Sequence, residues 1–515
     1  MTPPDVLVAI VERGLRHPDH PAVKDLARDL DYGGLRQAAA RMANALAAQG
    51  VSEGDRVALL LPNSVDFVVA ALATMWVGAL FVPLAVTDPA ARVVSIVADC
   101  AAALVVTADS PDDGVTPASA LAPTPVATVA QLTVDAGERA DPVPAPNRTA
   151  YAIYTSGTTG TPKGVLIGNA AFSAAVTAAV DALGIDVSTR TLCVSPFHFD
   201  GSFGTLFPTL YAGGSVVIRP RDTLLFPRTF FNAVANEDIT YTGFSPSYLR
   251  VLLSSPQVGK LGGTTLSVVA LGGEACSVAD VEALWAAAPQ VRVFNRYGPT
   301  ETTIAVTHVE LTPEMVARGV VPIGRPHDDV TFHLVDGEGR LVEGSGQVGE
   351  LHIGGSQLMT GYWGAPALTD EVLRTDVLAG RTVYRTGDLV YRTDEGDYVY
   401  VDRADRVIKR MGVRISLVEL AEALRRLEGV TAAVCVAYDG GGQVAIAAFV
   451  TGEGLGSPLD IRRAAAELLP DSMLPDRIEP VPNLPLTRSS KVDERRLVAE
   501  AGLTPLAAGG SGGGS

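Results

Sequence analysis

The stretch of sequence that decides the fold is Tyr154-Thr-Ser-Gly-Thr-Thr-Gly-Thr-Pro-Lys-Gly-Val-Leu166. An apolar strand, Ala152-Ile-Tyr154, is predicted on its amino-terminal side, and a second, Val165-Leu-Ile167, on its carboxyl-terminal side. Glycines between the strands let successive backbone N–H groups turn toward an anion, hydroxyl side chains add donors, and Lys163 adds positive charge. The pattern favours a phosphate-binding loop, although ordinary turn chemistry can produce the same composition.

The loop differs from a Walker P-loop in the element on its carboxyl-terminal side. A Walker loop has the pattern GxxxxGK[ST] and opens a helix. Here Lys163 comes after Pro162 and precedes a strand. The sequence therefore predicts a strand–loop–strand unit.

Composition restricts the class of protein. The chain has 515 residues, of which 47% are hydrophobic and 19% charged, so two or more folding units are expected. A net charge of −17 argues against a non-specific nucleic-acid binder, which would carry a basic surface. Cys100, Cys193, Cys276 and Cys435 lie far apart without a CxxC pair, which favours neither zinc nor disulfides and predicts a cytoplasmic location.

Outward from the loop, short apolar strands alternate with Ala-rich helical patterns, as is typical of the α/β class. The uncharged run from Phe67 to Thr87 is long enough to cross a membrane. Gly78 and Pro83 interrupt it, so a buried helix followed by a strand is the simpler interpretation. No membrane partner is expected.

We predict an α/β protein with two domains. Residues 1–402 are expected to form a large N-terminal domain of packed β-sheets and helices that binds ATP and substrate. Residues 403–505 are expected to form a small, mobile α+β C-terminal lid domain. Residues 506–515 are rich in glycine and serine, which is typical of a flexible linker or tag.

The loop resembles the signature of the adenylate-forming superfamily, which contains acyl-CoA synthetases, luciferases and the adenylation domains of nonribosomal peptide synthetases. The resemblance continues in order along the chain. Its further motifs are Asn295-Arg-Tyr-Gly-Pro-Thr-Glu-Thr-Thr303, Gly349-Glu-Leu-His-Ile-Gly-Gly355, Tyr384-Arg-Thr-Gly-Asp-Leu389, Asp402-Arg-Ala-Asp-Arg406, Gly412-Val-Arg-Ile415 and Leu484-Pro-Leu-Thr-Arg-Ser-Ser-Lys491. Together these motifs are very specific.

The resemblance implies activation of a carboxylic acid with ATP and Mg²⁺. Two anions must meet in that reaction, so positive charge is needed to offset their repulsion. Lys491 matches the family's catalytic lysine, and Glu301 suits a magnesium ligand, although a surface lysine and a solvated turn glutamate are the ordinary alternatives. Asp388, in a predicted Thr-Gly-Asp turn, matches the residue that accepts from the ribose hydroxyls.

The residues matched to nucleotide binding come from several of these motifs. They are Thr155, Ser156, Gly157, Thr158, Thr159, Gly160, Lys163, Gly272, Gly273, Glu274, Asn295, Tyr297, Gly298, Thr300, Asp388 and Arg403.

The same resemblance implies a second half-reaction with a thiol. Asp405 matches the family's hinge, about which the small domain turns so that Lys491 can leave the reacting carbonyl. Gly412 would then line the path of the thiol without a side chain. No carrier segment follows Lys491, so the chain is expected to load a separate acyl or peptidyl carrier protein through its phosphopantetheine.

Phe197-His-Phe-Asp-Gly-Ser-Phe-Gly204 resembles the substrate motif of amino-acid adenylation domains, in which the aspartate pairs with the substrate ammonium. Asp200 matches that aspartate. Because a charge in an apolar pocket is unfavourable unless it is paired, an aspartate at this position implies a cationic ligand. The alternative is an aspartate that caps a helix beginning near Ser202. The other positions carried over are Gly201, Gly204, Gly243, Val269, Leu271, Arg296, Ile304 and Ala305.

Two of these features concern the substrate. The glycines imply room, or a substrate placed differently from an ordinary α-amino acid. Arg296 inside the pocket would require a carboxylate, which suggests aspartate or a methylated or β-amino relative. The alternative is that Arg296 points away and binds an acidic side chain of the protein.

The leading prediction is therefore an amino acid–carrier protein ligase of secondary metabolism, such as antibiotic biosynthesis. The rival enzyme is an acyl-CoA ligase for a fatty or aryl acid, which would lack the pairing of Asp200 with an ammonium. A catalytically inactive binding protein of the same fold is the rival from another class. Retention of Lys491, Glu301, Asp388 and Lys163 together argues against it.

Overall fold

The structure is a computed structural model. It describes residues 4–88, 90–109, 116–133, 137, 139–156, 162–378, 380–404, 407–410, 413–440, 444–466, 469, 474–487 and 492–505.

The chain divides into two compact units. Residues up to 346, with 352–386 and 392–399, form the first unit, and residues 347–351, 387–391 and those from 400 onward form the second. The domain boundary after residue 402 stays a prediction.

The α-helices, in chain order, are α1 (Val6–Arg16), α2 (Tyr32–Ala48), α3 (Val65–Trp76), α4 (Ala90–Asp99), α5 (Val129–Leu132), α6 (Asn169–Leu183), α7 (Phe203–Ala212), α8 (Arg221–Leu224), α9 (Pro227–Asn236), α10 (Pro246–Leu253), α11 (Val278–Ala287), α12 (Pro313–Ala317), α13 (Pro366–Val372), α14 (Leu417–Arg425), α15 (Pro458–Ala465) and α16 (Glu494–Glu500).

The β-strands, in chain order, are β1 (Pro21–Lys24), β2 (Asp29–Asp31), β3 (Arg56–Leu60), β4 (Leu80–Pro83), β5 (Leu104–Thr107), β6 (Val126–Thr128), β7 (Thr149–Ser156), β8 (Pro162–Gly168), β9 (Arg190–Cys193), β10 (Ser215–Ile218), β11 (Tyr241–Phe244), β12 (Val268–Gly272), β13 (Arg292–Tyr297), β14 (Thr307–Glu310), β15 (Val330–Val335), β16 (Val348–Gly355), β17 (Gly361–Tyr362), β18 (Leu373–Leu378), β19 (Arg381–Arg392), β20 (Tyr398–Arg403), β21 (Val407–Arg410), β22 (Val413–Ser416), β23 (Val430–Asp439), β24 (Val444–Gly452) and β25 (Arg477–Pro480).

Two large sheets organise the first unit. In one, the strand order is β14-β13-β12-β11-β9-β10-β1-β2, with antiparallel pairs at its two ends and parallel pairs between them. In the other, the order is β17-β8-β7-β4-β3-β5-β6. Helices alternate with the parallel strands, so the predicted α/β class is confirmed.

The core of the first unit contains residues from both sheets and from the helices α1, α2, α3, α6 and α7. The rings of Phe67, Phe81, Tyr151 and Phe203 pack against one another with centroids 5.1–6.5 Å apart. Helix α3 is buried along its whole length, and the strand β4 comes after it. The uncharged run after Phe67 is thus a buried helix followed by a strand, as predicted.

The remaining strands form smaller sheets. Within the described residues, β15, β16, β19 and β18 form a sheet in that order, and β20 pairs with β19. The second unit contains the pair β21–β22 and the sheet β23–β24–β25, against which α14 and α15 pack with a small apolar core of their own.

None of the helices in the part of the chain that the structure describes has the length and apolar content that a membrane span requires.

A buried tyrosine fixes the end of α7, the helix that carries several predicted substrate residues. The hydroxyl oxygen of Tyr32 lies 2.9 Å from the carbonyl oxygen of Leu210 and 2.8 Å from that of Gly214. Gly213 ends the helix with φ of +90°, a conformation that glycine adopts without strain. The hydroxyl therefore lies between a carbonyl of the last turn of α7, which also accepts from the N–H of Gly213, and a carbonyl just beyond the helix.

We predict that Tyr32→Phe lowers the free energy of unfolding by about 1–2 kcal/mol, because it removes the buried hydrogen-bond donor that the carbonyl groups of Leu210 and Gly214 share. Chemical denaturation followed by circular dichroism measures this. Tyr211→Phe is the matched control, since Tyr211 lies in α7 and no described residue hydrogen-bonds to its hydroxyl. An equal loss in both variants would show that the ring, and not the hydroxyl, accounts for the effect.

Candidate active site

The glycine-rich loop between Tyr154 and Leu166 joins two antiparallel strands, β7 and β8, as predicted. Thr155 pairs with Lys163 at the end of the hairpin next to the loop. The ring of Tyr154 lies against Gly164, where a Cβ would come within 2.9 Å of the ring. Glycine is required here because the ring occupies that space.

Several predicted site residues lie outside the described residues. They are Gly157, Thr158, Thr159, Gly160, Asp405, Gly412 and Lys491. Their roles stay predictions, and so does that of Ser156, whose backbone alone is described.

Lys163 and Glu301 both contact Tyr362, Lys163 over the ring and Glu301 at the hydroxyl. The Nζ of Lys163 lies 5.4 Å from the centre of the tyrosine ring. The tyrosine hydroxyl donates a hydrogen bond of 2.7 Å to Oε1 of Glu301. A cation and a carboxylate are thus held near each other, as a site for phosphate and a metal ion requires.

Thr300 joins this region to the predicted substrate position. Its hydroxyl hydrogen-bonds to the carboxylate of Asp200, and the charge of Glu301 also acts on that carboxylate. The predicted phosphate and amine positions are therefore neighbours.

The other nucleotide candidates of the first unit lie around the carboxyl ends of β12 and β13, where open parallel sheets bind ligands. Gly273 has φ of +83° and comes directly after β12. Glu274 accepts a hydrogen bond from the backbone N–H of Ser247 at 3.1 Å, and Asn295 donates one of 2.8 Å to the carbonyl of Pro322. These two hydrogen bonds connect the ends of β12 and β13 to α10 and to the segment before β15.

Gly298 and Tyr297 also lie at this edge. A Cβ on Gly298 would lie 2.5 Å from Cα of Ala305, so the backbone segment after β13 packs directly on it. The ring of Tyr297 is half-buried and makes an edge contact with Phe332, with centroids 6.5 Å apart.

Arg296 crosses the face of the sheet over three glycines. A Cβ on Gly272 would lie 2.5 Å from its Cγ, and one on Gly243 would lie 3.3 Å from its Nη2. A Cβ on Gly204, in α7, would lie 3.2 Å from its Nη1. The arginine thus runs from β13 across β12 to β11 and α7, and any larger side chain at these positions would displace it.

This placement corrects the expectation that the glycines leave room for the substrate. A Cβ on Gly204 would meet Cγ2 of Ile304 at 2.6 Å, and one on Gly243 would meet Oγ1 of Thr205 at 2.8 Å, with the Arg296 guanidinium next nearest in both cases. Of the predicted pocket glycines Gly201, Gly204 and Gly243, only Gly201 has nothing within 4 Å of its Cβ position. The sequence alone could not show this, because it does not tell whether a ligand or a protein side chain occupies the space beside a glycine.

Arg296 has no ion-pair partner within the described part of the chain. Arg296 is 7% exposed to solvent, and no described residue hydrogen-bonds to its buried Nη1. The alternative that it points away and binds an acidic side chain of the protein is not what the described residues show. Burial of an unpaired cation is strongly unfavourable unless a ligand completes the site.

Val269 and Leu271 face away from Arg296, which differs from their predicted role. Both pack in the core on the other side of β12 with Phe244. Side chains alternate between the faces of a strand, so Ala270 and Gly272 are the residues of β12 on the arginine's side. The predicted positions on β12 were wrong by one residue, and a shift of one residue along a strand moves the side chains to the opposite face of the sheet.

Asp200 lies in a short turn of 3₁₀ helix before α7, and the amino-terminal cap of α7 receives no side-chain hydrogen bond. The alternative that Asp200 caps this helix is therefore wrong. Its Oδ2 is buried without a partner. Burial raises the pKa of this carboxyl from 3.8 to about 6, against the opposing effects of the Thr300 hydroxyl and the Arg296 guanidinium.

A buried polar network beside Arg296 was not found from the sequence. His308 is its cross-strand partner in the β13–β14 pair. The Nδ1 of His308 lies 3.0 Å from Nε2 of His327, whose Nδ1 lies 2.8 Å from Oε1 of Gln357. Burial lowers the pKa of His308 well below its usual value, and the neighbouring charges of His327 and Arg296 add to this.

Gln357 also holds the segment that carries Ile304 and Ala305. Its amide nitrogen donates to the carbonyls of Thr303 at 3.3 Å and Ala305 at 2.7 Å, and its backbone carbonyl accepts from the Thr303 hydroxyl at 2.7 Å. Thr303 and Ile304 have φ of +59° and +70°, a strained conformation for β-branched residues. The network therefore stabilises a strained segment whose Ile304 methyl abuts Gly204.

In the second unit, Asp388 and Arg403 form an ion pair of 3.4 Å. Asp388 lies inside the strand β19, so the prediction that it lies in a turn is wrong. Gly387 before it has φ of +74°, and a Cβ there would lie 2.8 Å from Nη2 of Arg403. The glycine thus permits the arginine to reach the aspartate.

No group of three His, Cys, Asp or Glu side chains that could hold a metal ion occurs among the described residues.

Comparisons with known proteins identify the family and several similar proteins. Residues 11–363 match the family described as AMP-binding enzyme. The chain is 36% identical over 496 residues to phenyloxazoline synthase MbtB of Mycobacterium sp. (strain MCS) and 32% identical over 489 residues to tyrocidine synthase 3 of Brevibacillus parabrevis. These alignments cover 94% of this chain, but 41% of the first relative and 7% of the second.

A solved structure is also similar. It is that of holo-AB3403, a four-domain nonribosomal peptide synthetase bound to AMP and glycine, with a TM-score of 0.84 and 28% identity. The match covers 95% of this chain and 36% of that one. The chain thus spans a minor part of these larger proteins.

We predict that Asp200→Asn removes a pH dependence. The unliganded protein should lose stability relative to the variant between about pH 4 and pH 6, by at most about 1.4 kcal/mol per pH unit, because the carboxylate ionises less readily in the folded state than in the unfolded one. Above about pH 6 the difference should be constant. Thermal melts of both proteins from pH 4 to pH 8 measure this, and parallel curves would contradict the prediction.

We also predict that Gly272→Ala and Arg296→Ala couple strongly. The alanine methyl would overlap the arginine side chain, so Gly272→Ala alone should lower the free energy of unfolding by about 1–3 kcal/mol. In the Arg296→Ala background the loss should be smaller by about 1 kcal/mol or more. A double-mutant cycle by denaturant unfolding measures the coupling, and additive losses would show that the arginine does not occupy this space.

Proposed function

Because this chain belongs to the AMP-binding enzyme family, we propose that it activates an amino acid that has a second carboxylate and transfers it to a carrier protein. The observation that carries the proposal is a pair of groups of opposite charge, the half-buried Asp200 and the buried Arg296, each with a buried atom to which no described residue hydrogen-bonds. A substrate with an ammonium and an additional carboxylate would supply both missing partners.

The activity of the family is the formation of an adenylate, and this chain is an adenylate-forming enzyme. In the proposed reaction a carboxylate oxygen of the substrate attacks the α-phosphorus of ATP. The bond from that phosphorus to the bridging oxygen breaks, and pyrophosphate leaves. The thiol of a carrier-bound phosphopantetheine then attacks the acyl carbon, loses its proton and releases AMP.

Asp200 would bind the ammonium of the substrate. Its unpartnered Oδ2 can accept an N–H, and an adjacent cation would lower the raised pKa of the carboxyl, so binding and ionisation support each other. The similar nonribosomal peptide synthetase bound to AMP and glycine supports an amino acid as substrate.

Arg296 would bind the second carboxylate. A guanidinium offers two parallel N–H donors, which match the two oxygens of a carboxylate. Aspartate, a methylated aspartate or a β-amino relative has the required groups: one carboxylate to react, one to pair, and an ammonium for Asp200. The reacting carboxylate must stay free of Arg296.

The nucleotide would lie along Lys163, Thr300 and the carboxyl ends of β12 and β13. Glu301 accepts a hydrogen bond from Tyr362 through one carboxylate oxygen, and no described residue hydrogen-bonds to the other, which fits a Mg²⁺ ion held by one protein carboxylate and by phosphate oxygens. Bound there, the ion would neutralise phosphate charge. Lys491 is proposed to bridge the attacking carboxylate and the α-phosphate.

The second unit would serve both half-reactions. Asp388, held by Arg403, is proposed to accept from the ribose hydroxyls. Asp405 and Gly412 are proposed as the hinge and the thiol path. The nonribosomal peptide synthetase relatives support a carrier protein as acceptor.

A panel of amino acids in ATP–pyrophosphate exchange tests the proposal. We expect the highest kcat/KM with dicarboxylic amino acids, and we expect deaminated analogues to fail. Arg296→Leu should lower kcat/KM for dicarboxylic substrates by about a hundredfold or more, because a buried charge-assisted pair is lost. The same variant should lose little activity with neutral amino acids.

The control is Arg292→Leu on the same strand, an exposed arginine paired with Glu310, which should leave the preference unchanged. A wild type that prefers neutral amino acids would refute the second carboxylate. A wild type that prefers fatty or aryl acids and uses coenzyme A would instead support an acyl-CoA ligase.

A further inference from the structure

The turn that carries Thr300 and Glu301 ends in a strained segment of backbone. Both side chains belong to a turn of 3₁₀ helix, Thr300–Thr302, which ends at Thr303. Thr303 and Ile304 both have positive φ, a conformation that β-branched residues keep only where the surrounding contacts enforce it. The placement of Thr300 and Glu301 thus depends on the contacts that hold this segment.

The side-chain amide of Gln357 supplies such contacts. Its nitrogen donates to the carbonyl of Ala305 at 2.7 Å and to that of Thr303 at 3.3 Å. Its oxygen lies 2.8 Å from Nδ1 of His327, which orients the amide so that the nitrogen faces these carbonyls. Gln357 is 2% exposed. Hydrogen bonds on both sides of Ile304 therefore resist relaxation of the segment toward negative φ.

The backbone after Gln357 holds the turn itself. The N–H of Met359 donates to the carbonyl of Glu301 at 2.8 Å, and the hydroxyl of Tyr362 donates to the Glu301 carboxylate at 2.7 Å. The strand β17, which contains Tyr362, pairs with β8, the strand that follows the glycine-rich loop. Residues 357–362 therefore connect the strained segment, Glu301 and the phosphate-loop hairpin.

The segment that Gln357 holds reaches predicted substrate residues at both of its ends. Before it, the hydroxyl of Thr300 hydrogen-bonds to the carboxylate of Asp200. Within it, Cγ2 of Ile304 packs so close to α7 that a Cβ on Gly204 would meet it at 2.6 Å. A displacement of the segment would therefore change the positions of groups that are expected to surround the substrate.

We propose that Gln357 is a positioning residue for adenylate formation, whose amide holds the strained segment and so places Thr300 and Glu301 for the reaction. The inference rests on the proposed function, in which Asp200 binds the ammonium of the substrate. A glutamine suits this role because one amide donates two N–H groups to carbonyls and accepts from a histidine at the same time. Gln357 lies just after the motif that ends at Gly355, and the sequence resemblance assigned it no role.

The test compares Gln357→Met with Gln290→Met in ATP–pyrophosphate exchange and in thermal melts of the unliganded protein. Methionine has a similar length but lacks the N–H donors. Gln357→Met should raise KM for the preferred amino acid and lower kcat, each by about tenfold, because shifts of about 1 Å misplace the reacting groups. A protein that is only less stable would contain fewer active molecules, which lowers the apparent kcat and leaves KM unchanged.

Gln290→Met is the matched control. The amide nitrogen of Gln290 also donates to two backbone carbonyls, those of Leu261 at 2.9 Å and Leu266 at 3.4 Å. Gln290 precedes the amino end of β13, whereas the candidate site lies at the carboxyl end of that strand. The control should therefore keep the wild-type KM and kcat.

Thr303→Val is a milder variant that decides the question if Gln357→Met does not fold. It removes the hydroxyl that donates to the backbone carbonyl of Gln357 at 2.7 Å and keeps the shape of the side chain. It should raise KM for the amino acid by about threefold, as expected for the loss of one hydrogen bond. A lower melting temperature with an unchanged KM, in whichever of the two variants folds, would overturn the inference.

The wild-type panel separates the two proposals. If dicarboxylic amino acids are preferred and Gln357→Met keeps their KM, the role of Gln357 is refuted and the proposed function stands. If the wild type prefers another acid, the proposed function is refuted and the variants are assayed with that acid. A raised KM in Gln357→Met then supports the positioning role, and an unchanged KM refutes it.

Discussion

The candidate site depends on the burial of one guanidinium. Arg296 lies in the interior of the first unit, and no described carboxylate forms an ion pair with it. A cation in such surroundings is tolerated only if no second cation lies beside it and a ligand or solvent completes its hydrogen bonds. The histidines beside the side chain, whose pKa values are lowered, are consistent with this requirement.

The hydrogen bonds of His308 and His327 keep both imidazole rings uncharged beside Arg296. The amide nitrogen of Gln357 donates to carbonyls, so its oxygen must accept from His327. His327 then accepts from His308 through its other nitrogen, and each ring carries one proton. A second positive charge beside Arg296 is thereby avoided, and the hydrogen bonds that fix the two rings also stabilise the strained segment at Thr303.

Much of the fold could be predicted from the sequence, because it depends on local patterns. The strands on both sides of the glycine-rich loop, the buried helix after Ser64 and the α/β class can be read from apolar periodicity and turn residues. These features require only the order of residues along the chain.

The interior of the site could not be predicted in the same way, because it depends on contacts between distant elements. Val269 and Leu271 were assigned to the pocket by sequence resemblance, but both pack in the core. An error of one residue along a strand moves every assigned side chain to the opposite face of the sheet. Gly204 and Gly243 appeared to leave space, while side chains from other elements fill it. The network of His308, His327 and Gln357 joins residues 19 and 30 positions apart that no motif connects.

The overlap of Arg296 with three glycines also limits the order in which this site could change during evolution. While the arginine is present, an added methyl at Gly272 meets atoms at 2.5 Å, so a lineage moving toward a different substrate must replace the arginine first. Once a larger residue has then settled at any of the three positions, restoring the arginine no longer restores the site. Loss of the arginine takes one substitution, whereas its return would then also require each larger residue to revert to glycine.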